Sequence, residues 1–429
     1  MVANVLVLGA SGLIGSEVAA RLAREGRPVV AVARRFPVPP PPGVAAVETR
    51  FVDLDADGLA TLIGGHRPGL VLNCVGVLQG RTASEVHAGF VERLARACRS
   101  LPETPTLVHV SIPGVPGEDA TEFARSKRAG EDALRASGLP YAILRPGFVV
   151  ASGAYGGSAL VRSVAASPVT LPASDLARPF QPVALEDIAR TVAHLAVHPP
   201  GEGVEWDLMH PEPTTLGDVV EAHRRWLGGP RSRLSIPGWL TAPGAILSDL
   251  AGRLGWRPPT RSTALAELRR GIAGDPAPWM AATGIEPLSL ADALAQRPST
   301  AADRWFARLY PLKALALVTL AIFWAVSGLI ALASFDEART ILLVAGFPFA
   351  LATAITWISS LADIAIGLLI AVRPTARLGL WAGIATSLFY MAGAAVLTPA
   401  MWLEPLGALV KTFPAIVLMC LCLAMLDDR

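Results

Sequence analysis

Short apolar runs alternate with helix-like patterns along the first half of the chain. Runs rich in valine and leucine predict buried strands, at 4–9, 28–33, 47–52, 69–75, 106–111, 141–144 and 204–209. Between them apolar residues recur at helical spacing, over 12–24, 84–99, 122–137 and 215–227. Because strands that alternate with helices build βαβ units, the pattern predicts an α/β, Rossmann-type fold with a doubly wound parallel sheet.

The pattern changes near residue 314, where long apolar stretches replace the short runs. Four stretches follow, at about 314–333, 351–372, 377–397 and 406–426, and each is close to the ~20 residues that cross a bilayer. A soluble protein can bury one or two such helices, but four in succession favour an all-α transmembrane bundle. We therefore predict a Rossmann domain over 1–300, with a small C-terminal portion from about residue 200, a linker over 301–313 and a membrane domain over 314–429.

Charged residues are unevenly distributed around these apolar stretches. Lysine and arginine precede the first stretch and lie between the second and third: Arg304, Arg308, Lys313, Arg373 and Arg377. The two other loops contain Asp336, Glu337, Arg339 and Glu404. Because cytoplasmic loops are enriched in lysine and arginine, we expect a multi-pass protein of the inner, cytoplasmic membrane. Its N-terminal domain and its C-terminus are expected in the cytoplasm.

The overall composition agrees with a chain that is partly embedded in a membrane. Apolar residues make up 52% of the chain and charged residues 17%, against about 25% charged in soluble domains. The net charge of +2, without a basic stripe interleaved with aromatic residues, argues against a nucleic-acid partner. The four cysteines form no metal-binding spacing, and His194 and His198 lack a third ligand, so no metal site is predicted.

A glycine-rich turn joins the first predicted strand to the first predicted helix. It reads Gly9-Ala-Ser-Gly12-Leu-Ile-Gly15. Gly9 allows a tight turn, Gly12 allows a pyrophosphate to approach the backbone, and Gly15 allows helix and strand to pack closely. The N-terminus of the helix then faces the phosphates. The turn is therefore predicted to bind a dinucleotide through six residues: Gly9, Ser11, Gly12, Leu13, Ile14 and Gly15.

Residues after the next three strands extend the predicted dinucleotide site. The second strand ends in Arg34 and Arg35, where NAD-binding proteins carry an acid that binds the ribose 2′-hydroxyl. Because arginine pairs with a 2′-phosphate, NADP(H) is favoured over NAD(H), the alternative being an ordinary surface pair. The residues after the third and fourth strands are placed to touch the adenine and to line the ribose: Asp53, Leu54, Cys74, Val75 and Gly76.

With these motifs, residues 1 to about 300 resemble an atypical or extended short-chain dehydrogenase/reductase. In style they are closest to the NmrA-like proteins and to the nucleotide-binding accessory subunit of respiratory complex I. Besides the glycine turn and residues 53–54 and 73–76, the resemblance rests on Ser111, Ser126-Lys127-Arg-Ala-Gly-Glu131, Leu144-Arg-Pro-Gly147 and Asp187. It implies that Pro146 and Gly147 also contact the cofactor.

The resemblance also raises a question about catalysis. The family uses a Tyr-x-x-x-Lys pair, in which the tyrosine exchanges a proton with the substrate and the lysine assists it and holds the nicotinamide ribose. Here the pair is Phe123 and Lys127, and Ser111 occupies the position of the catalytic serine. Lys127 is one of only three lysines in the chain, so its presence there is informative. Ser111 and Lys127 are the candidate catalytic residues, but Phe123 cannot donate a proton.

The apolar C-terminal region resembles the DoxX-like family of four-helix membrane proteins. The resemblance rests on the order of the spans and on Glu404-Pro-Leu-Gly-Ala-Leu-Val-Lys411-Thr-Phe-Pro414. Asp363 and Lys411 fall inside predicted spans, where charges are costly and usually pair. We expect an ion pair or polar cluster between them. In the alternative, Lys411 extends to the membrane surface and Asp363 bonds to Ser359 or Thr386.

Three functions agree with these features. A membrane-anchored NAD(P)(H) oxidoreductase of the short-chain type would act on an apolar or membrane-associated substrate, such as a quinone or lipid. Phe123 favours a non-catalytic NADP(H)-binding sensor or structural subunit of a membrane complex, whereas Lys127 and Ser111 favour the enzyme. In the third, the membrane bundle is the active part, and Asp363 and Lys411 carry its function.

Overall fold

The computed structural model describes residues 4–76, 83–114, 119–232, 234–403, 407 and 409–426. The chain divides into two compact units: the first comprises Met1–Ala245 and Pro259–Arg304, and the second comprises Ile246–Pro258 and Trp305–Arg429. The short segment 246–258, which the hydropathy pattern places in the soluble domain, thus belongs to the second unit. Glu404, from the DoxX-like motif, lies outside the described residues.

A parallel sheet forms the centre of the first unit. The strands of the described residues are β1 Val5–Leu8, β2 Val29–Ala33, β3 Val44–Glu48, β4 Leu70–Asn73, β5 Thr106–Val110, β6 Tyr141–Pro146, β7 Phe148–Val150, β8 Val169–Thr170, β9 Pro182–Ala184, β10 Val204–Leu208 and β11 Leu234–Ser235. Seven of them form one sheet in the order β10-β6-β5-β4-β1-β2-β3, with every pairing parallel. The predicted doubly wound sheet is confirmed, and its order reverses between β1 and β4, where such folds bind ligands.

The strands at the centre of the sheet are buried on both faces, as their apolar sequences predict. Every residue of β1, β2, β4 and β5 is buried. In the pairing of β1 with its two neighbours, Leu8 lies opposite both Val32 and Asn73. The three strands therefore end at the same level, and the loops that follow them lie side by side.

Helices cover both faces of this sheet. In chain order, the described helices that precede residue 300 are α1 Leu13–Arg24, α2 Ala56–Gly64, α3 Phe90–Arg99, α4 Glu122–Arg135, α5 Gly157–Ala165, α6 Ala173–Leu176, α7 Leu185–Val197, α8 Leu216–Leu227, α9 Gly238–Arg253, α10 Ser262–Arg270, α11 Ala277–Thr283 and α12 Leu290–Ala295, and the second half of α9 belongs to the second unit. α1 and α7 share one apolar core with the sheet, and α2, α3 and α4 share the core on the opposite face. A π-helical turn, Glu85–Gly89, leads directly into α3.

The third strand differs from its prediction. The apolar run predicts a strand over 47–52, but β3 is Val44–Glu48, and Phe51–Asp53 forms a short 3-10 helix. β3 is an edge strand that pairs only with β2. Phe51 instead turns inward, where its buried ring packs against Phe90. Burial of this ring outweighs the strand propensity of the run.

Apolar helices make up most of the second unit. They are α13 Ala301–Ala333, α14 Phe335–Val344, α15 Phe349–Ala371, α16 Ala376–Leu397 and α17 Thr412–Met425. Among the described residues, α13, α15 and α16 are long and apolar enough to cross a membrane. The predicted linker 301–313 is itself helical and forms the start of α13. α14 corresponds to no predicted element.

The fourth predicted span differs from its prediction in length. In place of a span over 406–426, the structure has α17, a helix of 14 residues. Such a helix is about 21 Å long, whereas the apolar core of a bilayer is about 30 Å thick. Pro414, in the first turn of α17, is tolerated there because its missing N–H needs no helical partner.

Glycines let the helices of the second unit approach one another closely. A Cβ atom at Gly328 would lie 2.3 Å from the carbonyl oxygen of Ser360, and one at Gly367 would lie 2.6 Å from the amide nitrogen of Ala325. α13 and α15 therefore touch through their backbones, as small residues permit in membrane bundles. At one end of the bundle, Lys313 donates to the Met425 carbonyl.

Candidate nucleotide-binding site

Three glycines shape the turn between β1 and α1, each through a different property. Gly9 has φ +81°, a left-handed conformation that other residues rarely adopt. Gly12 is exposed and caps α1 without a side-chain hydrogen bond, so the first amide groups of α1 remain available to an anion. A Cβ atom at Gly15 would lie 2.6 Å from the Gly9 carbonyl oxygen. The turn therefore fits the pyrophosphate of a dinucleotide.

The other predicted residues of the turn are Ser11, Leu13 and Ile14, and all three are half-buried. Leu13 and Ile14 pack against the core formed by the sheet with α1 and α7. A Cβ atom at Gly153, in the segment after β7, would lie 3.0 Å from Cδ1 of Leu13. The segment after β7 thus borders the glycine turn.

Arg34 and Arg35 directly follow β2, and both are exposed. Their position beside the glycine turn follows from the pairing of β2 with β1. Among the described residues, no ion pair occupies either guanidinium group. Within the part of the chain that the structure describes, both guanidinium groups are therefore available to a negatively charged ligand.

Asp53 and Leu54 lie where the chain passes from the 3-10 helix toward α2. Asp53 is exposed, and its carboxylate forms an ion pair of 2.9 Å with Arg50. The Leu54 carbonyl accepts a hydrogen bond of 3.1 Å from Arg93, which also binds the Val52 carbonyl at 3.0 Å. Through these two hydrogen bonds, Arg93 on α3 holds the backbone of residues 52–54 in place.

Cys74, Val75 and Gly76 continue β4 toward the glycine turn. The amide of Cys74 donates to the Leu8 carbonyl at 3.0 Å, and the amide of Val75 donates to Oδ1 of buried Asn73 at 3.0 Å. These bonds bring the two loops together at the reversal point of the sheet. Burial raises the pKa of the Cys74 thiol to about 12, which favours the neutral thiol over the nucleophilic thiolate.

Lys127, on α4, places a positive charge near the reversal point of the sheet; the space there between the loops after β1 and β4 is called the crevice below. Its side chain is buried, and Nζ donates to the Val110 carbonyl at 3.0 Å and to the Val75 carbonyl at 3.4 Å. Among the described residues, no carboxylate lies within ion-pair distance of Nζ. Burial lowers the pKa of Lys127 to about 8. The ammonium group thus lies at the ends of β4 and β5 without a paired carboxylate.

His87 joins this site, although no sequence motif identifies it. A Cβ atom at Gly76 would lie 3.4 Å from Nζ of Lys127 and 3.9 Å from Nε2 of His87. Nδ1 of His87 lies 2.8 Å from the hydroxyl of Ser126, and its ring meets that of Phe123 edge-on at 5.4 Å. Burial, reinforced by the charge of Lys127, lowers the pKa of His87 to about 3. A neutral imidazole therefore lies beside the position of the missing tyrosine.

Ser111 has a different partner from the one that its predicted catalytic role requires. Its hydroxyl donates to Oε1 of Glu131 at 2.6 Å. Glu131 is fully buried and also accepts from Arg128 at 2.8 Å and from Arg145 at 2.7 Å. Burial by itself raises the pKa of Glu131, but hydrogen bonds from Arg145 and Ser111 bring it below the usual value. The hydroxyl proton of Ser111 is thus engaged by a buried carboxylate, and its catalytic role stays a prediction.

Pro146 and Gly147 are buried at the junction of β6 and β7. A Cβ atom at Gly147 would lie 2.4 Å from the carbonyl oxygen of Gln181 and 3.1 Å from Cβ of Met209. Packing between neighbouring segments therefore requires glycine at position 147, and the contact of Pro146 and Gly147 with the cofactor stays a prediction.

Asp363 and Lys411 do not form the predicted pair. Asp363 is buried in the bundle and accepts a hydrogen bond of 3.1 Å from the hydroxyl of Tyr390, on α16. Lys411 is exposed directly before α17, and among the described residues no ion pair joins it to Asp363. Tyr390 has no charge and forms no motif, so the sequence does not identify it as the partner.

Both units match known protein families. Residues 9–199 match the NAD(P)H-binding family, and residues 321–420 match the DoxX-like family. A curated relative, dTDP-6-deoxy-L-talose 4-dehydrogenase (NAD(P)(+)) of Kitasatospora kifunensis, is 29% identical over 184 residues. That match covers 37% of this chain and a little over half of the relative, 56%.

Solved structures show the same fold for the N-terminal region. A putative epimerase from Burkholderia cenocepacia has a TM-score of 0.53 at 18% identity, covering 71% of this chain and 97% of that one. The UDP-glucose 4-epimerase of Thermus thermophilus, in complex with NAD, has a TM-score of 0.51 at 20% identity, covering 68% and 96%. The chain thus combines an NAD(P)-binding Rossmann domain that resembles the short-chain dehydrogenases/reductases with a C-terminal DoxX-like domain.

Proposed function

We propose that this protein is a membrane-anchored oxidoreductase that uses NADP(H) and reduces a quinone-like, apolar acceptor. The observation that carries the proposal is the buried ammonium group of Lys127, which has two carbonyl acceptors and, among the described residues, no carboxylate partner. A buried charge without a counter-charge opposes folding, so its presence points to a ligand. Ribose hydroxyls and a negatively charged acceptor oxygen are ligands of that kind.

The chemistry follows from what the site contains and what it lacks. A bound NADPH supplies a hydride, which carries two electrons to the acceptor. Phe123 cannot protonate an alkoxide, the product of hydride addition to a simple ketone. A reduced quinone is instead a phenolate-like anion, whose conjugate acid has a pKa of about 10. Lys127 can stabilise this anion and return a proton to it, so no tyrosine is required.

Arg34 and Arg35 support the choice of NADP(H). Both are exposed directly after β2, in the place where an acid would bind the 2′-hydroxyl of NAD. A 2′-phosphate there would meet two guanidinium groups that have no ion pair within the described residues. The apolar nature of the acceptor is supported by the fusion to membrane-spanning helices, which keeps the chain at the bilayer.

The test is a turnover assay on the full chain in lipid nanodiscs. NADPH oxidation is followed with a short-chain quinone, a small ketone and a dTDP-sugar as alternative acceptors. We expect turnover with the quinone, and we expect Lys127→Met to lower the rate by about 10²–10⁴-fold. Asp132→Asn, which changes an exposed side chain of the same helix, is the matched control. Robust turnover that is indifferent to Lys127→Met would refute the assignment.

A second candidate is a non-catalytic NADP(H)-binding sensor or a structural subunit of a membrane complex. Two observations favour it: the hydroxyl of Ser111 is engaged by Glu131, and Phe123 has no proton to donate. On this reading NADPH binds without turnover of any acceptor. Phe123→Tyr, one helical turn from Lys127, would then gain a trace of activity while nucleotide affinity stays unchanged.

A further inference from the structure

The second half of α9 exposes an apolar face that no other part of the described structure covers. Ile246 and Leu247 are each 68% exposed, and Leu250 is 52% exposed. Ala245, on the opposite side of the helix, is buried. Positions 246 and 250 are one turn apart, and 247 lies beside them, so the three side chains form one strip on the helix surface.

This strip belongs to the same unit as the membrane-spanning helices. Residues 246–258 belong to the second unit, together with the bundle helices, and not to the nucleotide-binding unit. The indole Nε1 of Trp256 donates to the carbonyl of Ala371 at 2.7 Å, and Ala371 is the last residue of α15. The amide of Arg373 donates to the Leu254 carbonyl at 2.9 Å. The chain after α9 is thus fixed to the end of a helix that is long enough to cross the bilayer.

The end of a membrane-spanning helix marks the level of the lipid head groups. Trp256 stacks with Arg373, whose guanidinium carbon lies 5.5 Å from the ring centroid. Tryptophan and arginine are enriched at this depth, because both combine an apolar body with a polar group. Arg253 and Arg257, on either side of the fixed segment, are exposed. The surroundings therefore match an interface that carries anionic lipids.

We propose that the second half of α9 is an interfacial membrane anchor, with Ile246, Leu247 and Leu250 buried among the lipids beside the bundle. The occupant of the apolar strip is the bilayer in which the chain itself is embedded. Continuity with the spanning helices supports lipid over a second protein chain, since the hydrogen bonds to Ala371 and Arg373 hold the strip at the membrane surface. An amphipathic helix at this position lies in the plane of the interface, about 5–10 Å into the boundary with the acyl chains.

The experiment uses the full chain reconstituted into vesicles of phosphatidylcholine and phosphatidylglycerol. In a background with its four cysteines replaced by alanine, Ile246→Cys, Leu247→Cys and Leu250→Cys are each labelled with an environment-sensitive fluorophore. Ala136→Cys, at the exposed carboxyl end of α4, is the matched control. Lipids carry a nitroxide quencher near the head group or near the end of the acyl chain, and iodide quenches from water.

We expect the labels at 246, 247 and 250 to emit at shorter wavelength than the label at 136. Nitroxide near the head group should quench them strongly, nitroxide at the chain end more weakly, and iodide least, whereas the control should respond to iodide alone. Three labelled positions keep the test valid if one variant fails to fold, which circular dichroism reports. Iodide quenching equal to that of the control would overturn the proposal. Protection from both quenchers would overturn it as well, in favour of a protein partner.

Discussion

At the scale of single residues, Lys127 is the most informative side chain of the nucleotide-binding unit. Its side chain is buried, and its ammonium group reaches two carbonyls at the ends of β4 and β5. Gly76 leaves room beside it, where the neutral imidazole of His87 also points. A cation and a neutral hydrogen-bonding group thus meet at the place where the family has a tyrosine.

The cofactor preference can be tested at Arg34 and Arg35. Replacing both with alanine should weaken NADPH binding by more than about tenfold, the size of a lost charge-assisted contact to phosphate. NADH binding should hardly change, because NADH has no 2′-phosphate. Isothermal titration with both nucleotides checks this result. Equal losses for both, or none, would contradict the preference for NADP(H).

The lowered pKa of Lys127 predicts how stability depends on pH. The pKa is about 8 in the folded protein, against 10.5 for a solvated lysine. Between these values the unfolded chain holds more protons, so the stability of the nucleotide-free protein rises with pH through this window. Below about pH 8 Lys127 is charged in both the folded and the unfolded chain. Burial of the charged ammonium group then lowers the free energy of unfolding by about 3 kcal/mol relative to the protein above pH 10.5.

Thermal unfolding of wild type and Lys127→Met in detergent measures this effect. The melting temperature of the wild type, relative to the variant, should rise as the pH increases from about 8 to about 10.5. Saturating NADPH should reduce the difference, because the nucleotide offers the ammonium group acceptors. Parallel pH profiles for the two proteins would show that Lys127 keeps an ordinary pKa in the fold.

At the scale of elements, α4 connects the nucleotide site to the edge of the sheet. One part of the helix carries Phe123 and Lys127 toward the crevice. The next turns carry Glu131 and Arg135 toward β6 and β10, where Arg145 and Glu205 complete a partly buried network around the buried carboxylate of Glu131. Arg135 binds Glu205 at 2.6 Å, and Arg145 bridges Glu205 and Glu131. This network fastens the edge strand β10 to the rest of the unit.

Glu131→Gln should therefore act on stability more strongly than Ser111→Ala. Removing the buried carboxylate charge takes away the acceptor that Arg128, Arg135 and Arg145 share, and breaking such a buried pair costs about 3–5 kcal/mol. Ser111→Ala removes a single hydrogen bond to that carboxylate, worth about 1–2 kcal/mol. Chemical unfolding in detergent compares the two variants, and NADPH binding to folded Ser111→Ala should equal that of wild type. A nucleotide-binding defect in folded Ser111→Ala would contradict this expectation and show that Ser111 contributes to the nucleotide site.

At the scale of the whole molecule, contacts within the second unit fix the carboxyl end of α17 at one end of the bundle. Lys313, early in α13, donates to the Met425 carbonyl, and Arg373 donates to the Leu426 carbonyl at 2.7 Å. The carboxyl end of α17 therefore lies at the same end of the bundle as Lys313 and as the turn between α15 and α16. A helix of 14 residues thus returns the chain to this end of the bundle.

Reporter fusions test the resulting topology. Fusions after Arg377 and at the C-terminus should report the cytoplasm, because the basic residues lie at that end of the bundle. A fusion after Glu337 should report the opposite side. A C-terminal reporter on the opposite side would mean that α17 does not cross, and the four-pass arrangement would be wrong.

The sequence by itself determined the features that depend on local spacing. The alternation of strands and helices, the glycine turn at Gly9 to Gly15 and the apolar spans are each contained in one short segment, and the structure confirms the alternation, the turn and three of the four spans. Local periodicity is sufficient there because burial of an element depends on its own pattern of apolar residues. The displaced strand β3 is the exception, since a contact with distant Phe90 decided the place of Phe51.

Only the tertiary structure decided which distant side chains meet. Ser111 and Glu131 are 20 positions apart, Asp363 and Tyr390 are 27 apart, and Trp256 and Ala371 are 115 apart. Each contact depends on which elements pack together and on their relative level along their axes. The periodicity of a single segment determines neither the packing partner nor the level. For that reason the sequence paired Asp363 with Lys411 and left residues 246–258 in the soluble domain, and it did not indicate that Ser111 bonds to Glu131, whereas the packing of distant elements decided all three contacts.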